Sequence, residues 1–196
     1  ASGGRGGQVF HVTHRDDTGI GSLRDALLAS GPRTVVFDVS GDIVLSEPIV
    51  VRNGDLTIAG QTAPGDGVTL RGHGIAIEAS NVVMRYLRVR VGFEEHDPNE
   101  EAVTALRIHT PGDGTPRDRI IVDHCSFAWS TRMNLRIRTF PDSTIEDVTV
   151  QNCVFAEPLF QRLGAVITNR TARISLVANY WAHTYDRVPF GVSDAG

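Results

Sequence analysis

Along most of this chain apolar and polar positions alternate, and the alternation recurs in one register. Val82-Val83-Met84-Arg85-Tyr86-Leu87, Ile120-Ile121-Val122-Asp123-His124-Cys125, Val148-Thr149-Val150-Gln151-Asn152-Cys153 and Ile174-Ser175-Leu176-Val177-Ala178-Asn179 can be laid over one another. Each starts with two same-face apolar residues and reaches its sixth position at Leu87, Cys125, Cys153 or Asn179. A strand-rich unit of this kind cannot bury its apolar face alone, so its recurrence predicts stacked coils.

A second set of stackable strands interleaves with the first: Ala76 to Glu78, Leu106 to His109, Leu135 to Arg138 and Val166 to Asn169. Alternation sends Leu106, Ile108, Leu135 and Ile137 to one side and Arg107, His109, Arg136 and Arg138 to the other. With the apolar residues inside, a positive row runs up the outside of adjacent coils. Like charges facing one another on a sheet repel. The row therefore calls either for neighbouring Asp and Glu side chains or for an anionic ligand, and both readings stand.

Only one stretch has a helical period. Ser22 is placed to cap, Asp25 holds the complementary capping-box position, and Leu23, Ala26 and Leu27 share a face, which predicts a short helix over 22–29. Further strands are expected at Thr34 to Val39, Ile43 to Leu45, Leu56 to Ala59 and Val68 to Leu70. Turn signals such as Asn53-Gly54, Pro64-Gly65-Asp66-Gly67 and Pro111-Gly112-Asp113-Gly114 separate the segments. The expected architecture is one all-β solenoid domain over 1–196, its first end closed by the helix. No matching cap follows the strand-like segment ending Trp181-Ala182-His183. An open last coil would present unpaired edges, so self-association, a partner or further sequence is expected to cover it.

Composition narrows the function. With 196 residues and 41% apolar content the chain can bury one sizeable core, and no apolar run is long enough for a bilayer, so no membrane role is expected. A formal net charge of -4 gives no general attraction to nucleic acid, so an acidic ligand must be gathered by local positive clustering. All 19 basic residues are arginine, whose planar fork suits carboxylates. Cys125 and Cys153 fall at one position of successive repeats, as stacked buried thiols or as a disulfide. Trp129 and Trp181 suit either a sugar platform or the interior of the stack. His11 and His14 have metal-like spacing but no third ligand close by. An N-terminal Ala-Ser-Gly-Gly is compatible with a mature end left by signal cleavage.

Several separated blocks carry a family pattern: Gly3-Gly4-Arg5-Gly6-Gly7, Gly21-Ser22-Leu23-Arg24-Asp25-Ala26, Arg33 to Gly41, Leu56 to Gly67, and Val122-Asp123-His124-Cys125-Ser126. From Gly3 to about Gly191 the chain resembles a bacterial pectate lyase of polysaccharide lyase family one. That resemblance implies a right-handed parallel β-helix, secreted to the extracellular space, with a groove for an acidic polysaccharide along one outer sheet. It also implies β-elimination with a calcium ion and an arginine base. Tyr185-Asp186-Arg187-Val188-Pro189 resembles the segment carrying that base, which makes Arg187 the catalytic candidate. Arg162 falls where the family often has a substrate-binding lysine, and Val192 where a second arginine is often found.

The calcium ligands do not carry over. Positions where related lyases hold acidic residues are Thr104, Arg132 and Met133 here. Glu100, Glu101 and Asp123 are the remaining metal candidates, since calcium needs several oxygen ligands, most of them carboxylates. In calcium-free pectin lyases an arginine takes the place of the metal, and Arg132 is the counterpart here. The leading expectation is a lyase without a cofactor, using Arg187 as base and Arg132, Arg162, Arg107, Arg136, Arg138 and His109 for substrate. The alternatives are a non-catalytic β-helix that binds acidic glycans and a calcium-dependent lyase with shifted ligands. Asp123-His124 is read as an interior turn.

Overall fold

A computed structural model describes residues 1–92 and 103–192. After β1 and the helix that follows it, each coil of the chain contributes one strand to each of three parallel sheets. Sheet A is formed by β1 (Gln8–Val12), β2 (Arg33–Phe37), β5 (Leu56–Ala59), β8 (Val82–Arg85), β11 (Arg117–Asp123), β14 (Ile145–Gln151) and β17 (Thr171–Val177). Sheet B is formed by β3 (Gly41–Val44), β6 (Val68–Arg71), β9 (Arg88–Arg90), β12 (Ser126–Ala128), β15 (Val154–Ala156) and β18 (Tyr180–Ala182). Sheet C is formed by β4 (Ile49–Val51), β7 (Ile75–Ile77), β10 (Leu106–His109), β13 (Met133–Arg138), β16 (Leu163–Thr168) and β19 (Phe190–Val192). The result is the expected all-β parallel solenoid.

The register in sheet A is the one the sequence repeat predicts, with Val82, Ile120, Val148 and Ile174 aligned. In sheet C, Leu106 aligns with Leu135 as expected, but the outer members sit one residue earlier, at Ile75 and Ala165. The reason is packing. Ile75, Ile77 and Ala165 are buried and belong on the inner face, so strands begun at Ala76 or Val166 would turn that face outward.

Columns of like residues fill the interior. Val35, Ile58, Met84, Val122 and Val150 stand over one another with no exposure. Phe127, Phe155 and Trp181 form a ring stack with centroids 5.1 and 4.3 Å apart. Burying each such large side chain contributes about 1.5–3 kcal/mol. Trp181 thus belongs to the stack, whereas Trp129 is half exposed and donates its indole N–H to Glu157 Oε2 at 2.9 Å. Cys125 and Cys153 are buried free thiols.

The predicted helix is α1 (Leu23–Leu28), with the Ser22 hydroxyl accepting from the Asp25 N–H at 3.1 Å. Its buried face packs on β1, β2 and β4, at the first end of the stack. Fully buried Arg33 closes its other terminus. The guanidinium donates to the carbonyls of Ala26, Leu27, Gly31, Asn53 and Gly54 at 2.7–3.1 Å, which satisfies helix-end acceptors that have no partner within the helix.

Between sheets A and B the chain turns through a two-residue corner whose first residue is left-handed: Tyr86, His124, Asn152 and Ala178 all have φ of 51–55°. In the preceding coil Gly60 takes this position. A Cβ there would lie 2.4 Å from the Tyr86 carbonyl oxygen, so only glycine lets the two corners approach so closely.

Candidate functional site on the outer face of sheet C

Arg107 pairs with Arg136 across β10 and β13, and His109 pairs with Arg138. Leu106, Ile108, Leu135 and Ile137 point inward and are fully buried, so the charged residues project outward as alternation requires. They line a small cleft of about 50 Å³ with Phe140. The Arg138 guanidinium lies 5.7 Å from the Phe140 ring centroid.

Arg132 lies in the turn before β13. Its N–H donates to the Val103 carbonyl at 3.1 Å, and its carbonyl accepts from Leu163 N–H at 3.3 Å. Its Nε is buried with no hydrogen-bond partner. Arg187 enters from the following coil. Its backbone is held by Asp186 Oδ1 at 2.6 Å and by Ala165 N–H, which donates to the Arg187 carbonyl at 2.7 Å. A Cβ on Gly164 would stand 2.5 Å from that carbonyl, so the glycine admits the Arg187 segment.

These five arginines form one electrostatic unit. The Arg136 pKa is lowered, first by burial and then by the charges of Arg138, Arg132, Arg107 and Arg187. Arg162 stands apart from this core: exposed, left-handed at φ 55°, and tied through its carbonyl to the Tyr185 N–H at 2.9 Å.

The expected neutralising carboxylates are not supplied by the described residues. Glu78 is the nearest acid on this face, and it is held between Arg52 Nε at 3.1 Å and His109 Nε2 at 3.2 Å. Among the described residues, no side chain pairs with the guanidinium of Arg107, Arg132, Arg136, Arg162 or Arg187. His109 has a lowered pKa through burial, opposed by Glu78 and reinforced by Arg107 and Arg136, so its imidazole is neutral at pH 7.

Asp123, a metal candidate in the sequence, lies elsewhere. It ends β11 at the corner of sheets A and B, where its carboxylate accepts from Arg85 Nε, His124 Nδ1, Gln151 Nε2 and Asn152 Nδ2 at 2.7–3.1 Å. Its oxygens are occupied, and it is separated from sheet C by sheet B. Glu100 and Glu101 lie outside the described residues. Among the described residues no group of three or more His, Cys, Asp or Glu side chains is placed to hold a metal. Among the described residues, the surroundings of Arg132 offer guanidinium donors rather than the oxygen ligands that calcium needs.

The sequence reading missed the aromatic margin. Phe140, Phe160, Tyr185 and Phe190 are exposed by between 41% and 84%, and Phe190 is paired with Val166 in sheet C. Such rings can stack on sugar faces. They fall outside the alternating strands, at turns or in the short β19, so periodicity gave no sign of them.

Fold and site together define a parallel β-helix with an arginine-lined cleft on one outer sheet. No family model matches the chain. It is 37% identical over 198 residues to a probable pectate lyase C of Aspergillus terreus, covering 99% of this chain and 43% of that one. Proteins of the same name from Aspergillus fumigatus and Emericella nidulans are 38% and 37% identical over 191 residues, 96% of this chain and 41% of theirs. Over nearly its whole length the chain is similar to these probable pectate lyases, and it spans less than half of theirs. A crystal structure of jun a 1, the major allergen from cedar pollen, matches with a TM-score of 0.47 at 13% identity, over 97% of this chain and 80% of that one. No helix among the described residues is long and apolar enough to cross a membrane.

Proposed function

We propose that this protein is a secreted polysaccharide lyase that cleaves a uronate-containing polymer of the pectate or pectin type by β-elimination on the outer face of sheet C. One observation carries the reading: five gathered guanidinium groups, none paired with a carboxylate among the described residues. Such crowding is unfavourable without an anionic ligand, and the sequence relatives are named for a lyase acting on a polyanion.

Elimination removes the proton on the carbon bearing the carboxylate and expels the oxygen at the neighbouring carbon as the double bond forms. Two things are required: neutralisation of the carboxylate as negative charge develops, and a base near the proton. Arg132, Arg136 and Arg107 supply the first through charge-assisted, two-pronged hydrogen bonds. Arg132 is assigned the first contact through the terminal nitrogens of its guanidinium, its Nε being buried. Arg187, its backbone held by Asp186 Oδ1 and Ala165 N–H, is assigned the base: in the reacting complex it acts as a neutral guanidine that takes the proton and becomes guanidinium, and Arg162 binds a carboxylate further along the chain. The positive charge that calcium gives other lyases is supplied here by arginine, so no cofactor is assigned.

The test is the ultraviolet absorbance of the unsaturated uronide released from polygalacturonate and from highly methylated pectin. We expect product that persists in chelator and falls at least a hundredfold in Arg187→Ala. Full activity of that variant would remove Arg187 from the chemistry. Salt-sensitive binding without any product would instead establish the second reading, a glycan-binding β-helix, which the same unpaired arginines also suit.

A further inference from the structure

A cleft of about 460 Å³, larger than the one on sheet C, lies elsewhere on the molecule. It follows the corner between sheets A and B over several coils, and its lining includes Tyr86, Arg88, His124, Ser126 and Asn152, walled by the loop Gly60–Gly67. We propose that this corner cleft is a second saccharide site, which takes a carboxylate-bearing sugar on the guanidinium of Arg88.

Three features support it. Arg88 spends only its Nε, donated to Thr69 Oγ1 at 3.0 Å. Among the described residues its two terminal nitrogens have no hydrogen-bond partner, and they stand 3.8–4.0 Å from where a side chain on Gly67 would begin, so the missing side chain leaves the fork open to the cleft. Asp66 also lines the cleft but forms no ion pair with Arg88. A free planar fork of this kind matches a carboxylate in two hydrogen bonds.

Beside it the Tyr86 and His124 rings are stacked at 4.8 Å and 14°, presenting a rigid amphipathic edge. His124 is fixed by Asp123 at Nδ1, which leaves Nε2 without a partner among the described residues, and Asp123 is fixed in turn by Arg85, Gln151 and Asn152. That network accounts for the order of the stack as architecture. It does not account for the open cleft or the unspent fork of Arg88, and the chemistry assigned to sheet C uses none of these residues.

The experiment follows the histidine ring proton resonances of the full chain while trigalacturonate is added, in the wild type and in an Arg107→Gln/Arg136→Gln variant with the sheet C face disabled. His124 is expected to shift saturably in both. Arg88→Gln should weaken that response about tenfold or more, with Arg88→Lys intermediate because it keeps the charge without the fork. An unchanged thermal midpoint in either variant shows that the fold is retained. The proposal is overturned if His124 stays unmoved through the millimolar range. It is equally overturned if the fully methyl-esterified trimer shifts His124 as strongly as the acid, or if both Arg88 variants bind like wild type. No lyase product is read, so the outcome is independent of the function assigned to sheet C.

Discussion

Asp123 shows how one residue can be motif and scaffold at once. Burial alone would raise its pKa, but hydrogen bonds from Asn152, Gln151 and His124 outweigh burial and lower it to about 2. The unfolded value is about 3.9. A carboxyl depressed on folding adds stability that is present above the unfolded pKa and is lost as pH falls through the folded one. The contribution at neutral pH is about 2 kcal/mol, lost between about pH 4 and pH 2. Asp123→Asn should therefore lower stability at pH 7 by about that amount and flatten the acid limb of a denaturant-midpoint-against-pH curve. At this scale the sequence was informative where a motif named a turn, as at Asp123-His124. It was uninformative about pairing: whether Arg107, Arg136 and Arg138 had carboxylate neighbours depended on loops whose course no periodicity encodes.

Among the elements, the long sheet A strands were legible because four or more alternating positions fix a phase. Sheet B escaped notice as a separate set. Its strands from β9 onward are only three residues long, as in Ser126–Ala128, too short to carry a period-two signal. Yet sheet B holds the ring stack through Phe155, the middle ring between Phe127 and Trp181. Phe155→Ala should cost about 3–5 kcal/mol by opening a cavity between two rings. Thermal unfolding is the check, and a loss below about 1 kcal/mol would show that the column closes over the gap. The one-residue difference at Ile75 and Ala165 has a related origin: where both candidate phases begin on an apolar residue, local pattern cannot choose, and burial in the column does.

For the whole molecule, burial falls toward the last coil. Val148, Val150 and Phe155 are fully buried, while their ladder partners Ile174, Leu176 and Trp181 are only partly so. In a stack stabilised by nearest-neighbour contacts, coils with less buried interiors open first. Amide hydrogen exchange should therefore be faster in β17 than in β11, by at least tenfold at neutral pH; uniform protection across both strands would mean that the coils open only together.

The corners between sheets A and B have a further consequence. In four successive coils that link is two residues long: Tyr86-Leu87, His124-Cys125, Asn152-Cys153 and Ala178-Asn179. The links from sheet B to sheet C instead run over residues 91–105, 129–132 and 157–162. In these four coils length varies on one side and is constant on the other, whereas one coil earlier the corner itself opens into residues 60–67. Insertion and deletion beside the arginines can thus reshape that face without disturbing the four short corners. The one lengthened corner marks where the same freedom has been used on the opposite side, and it does so beside the second cleft.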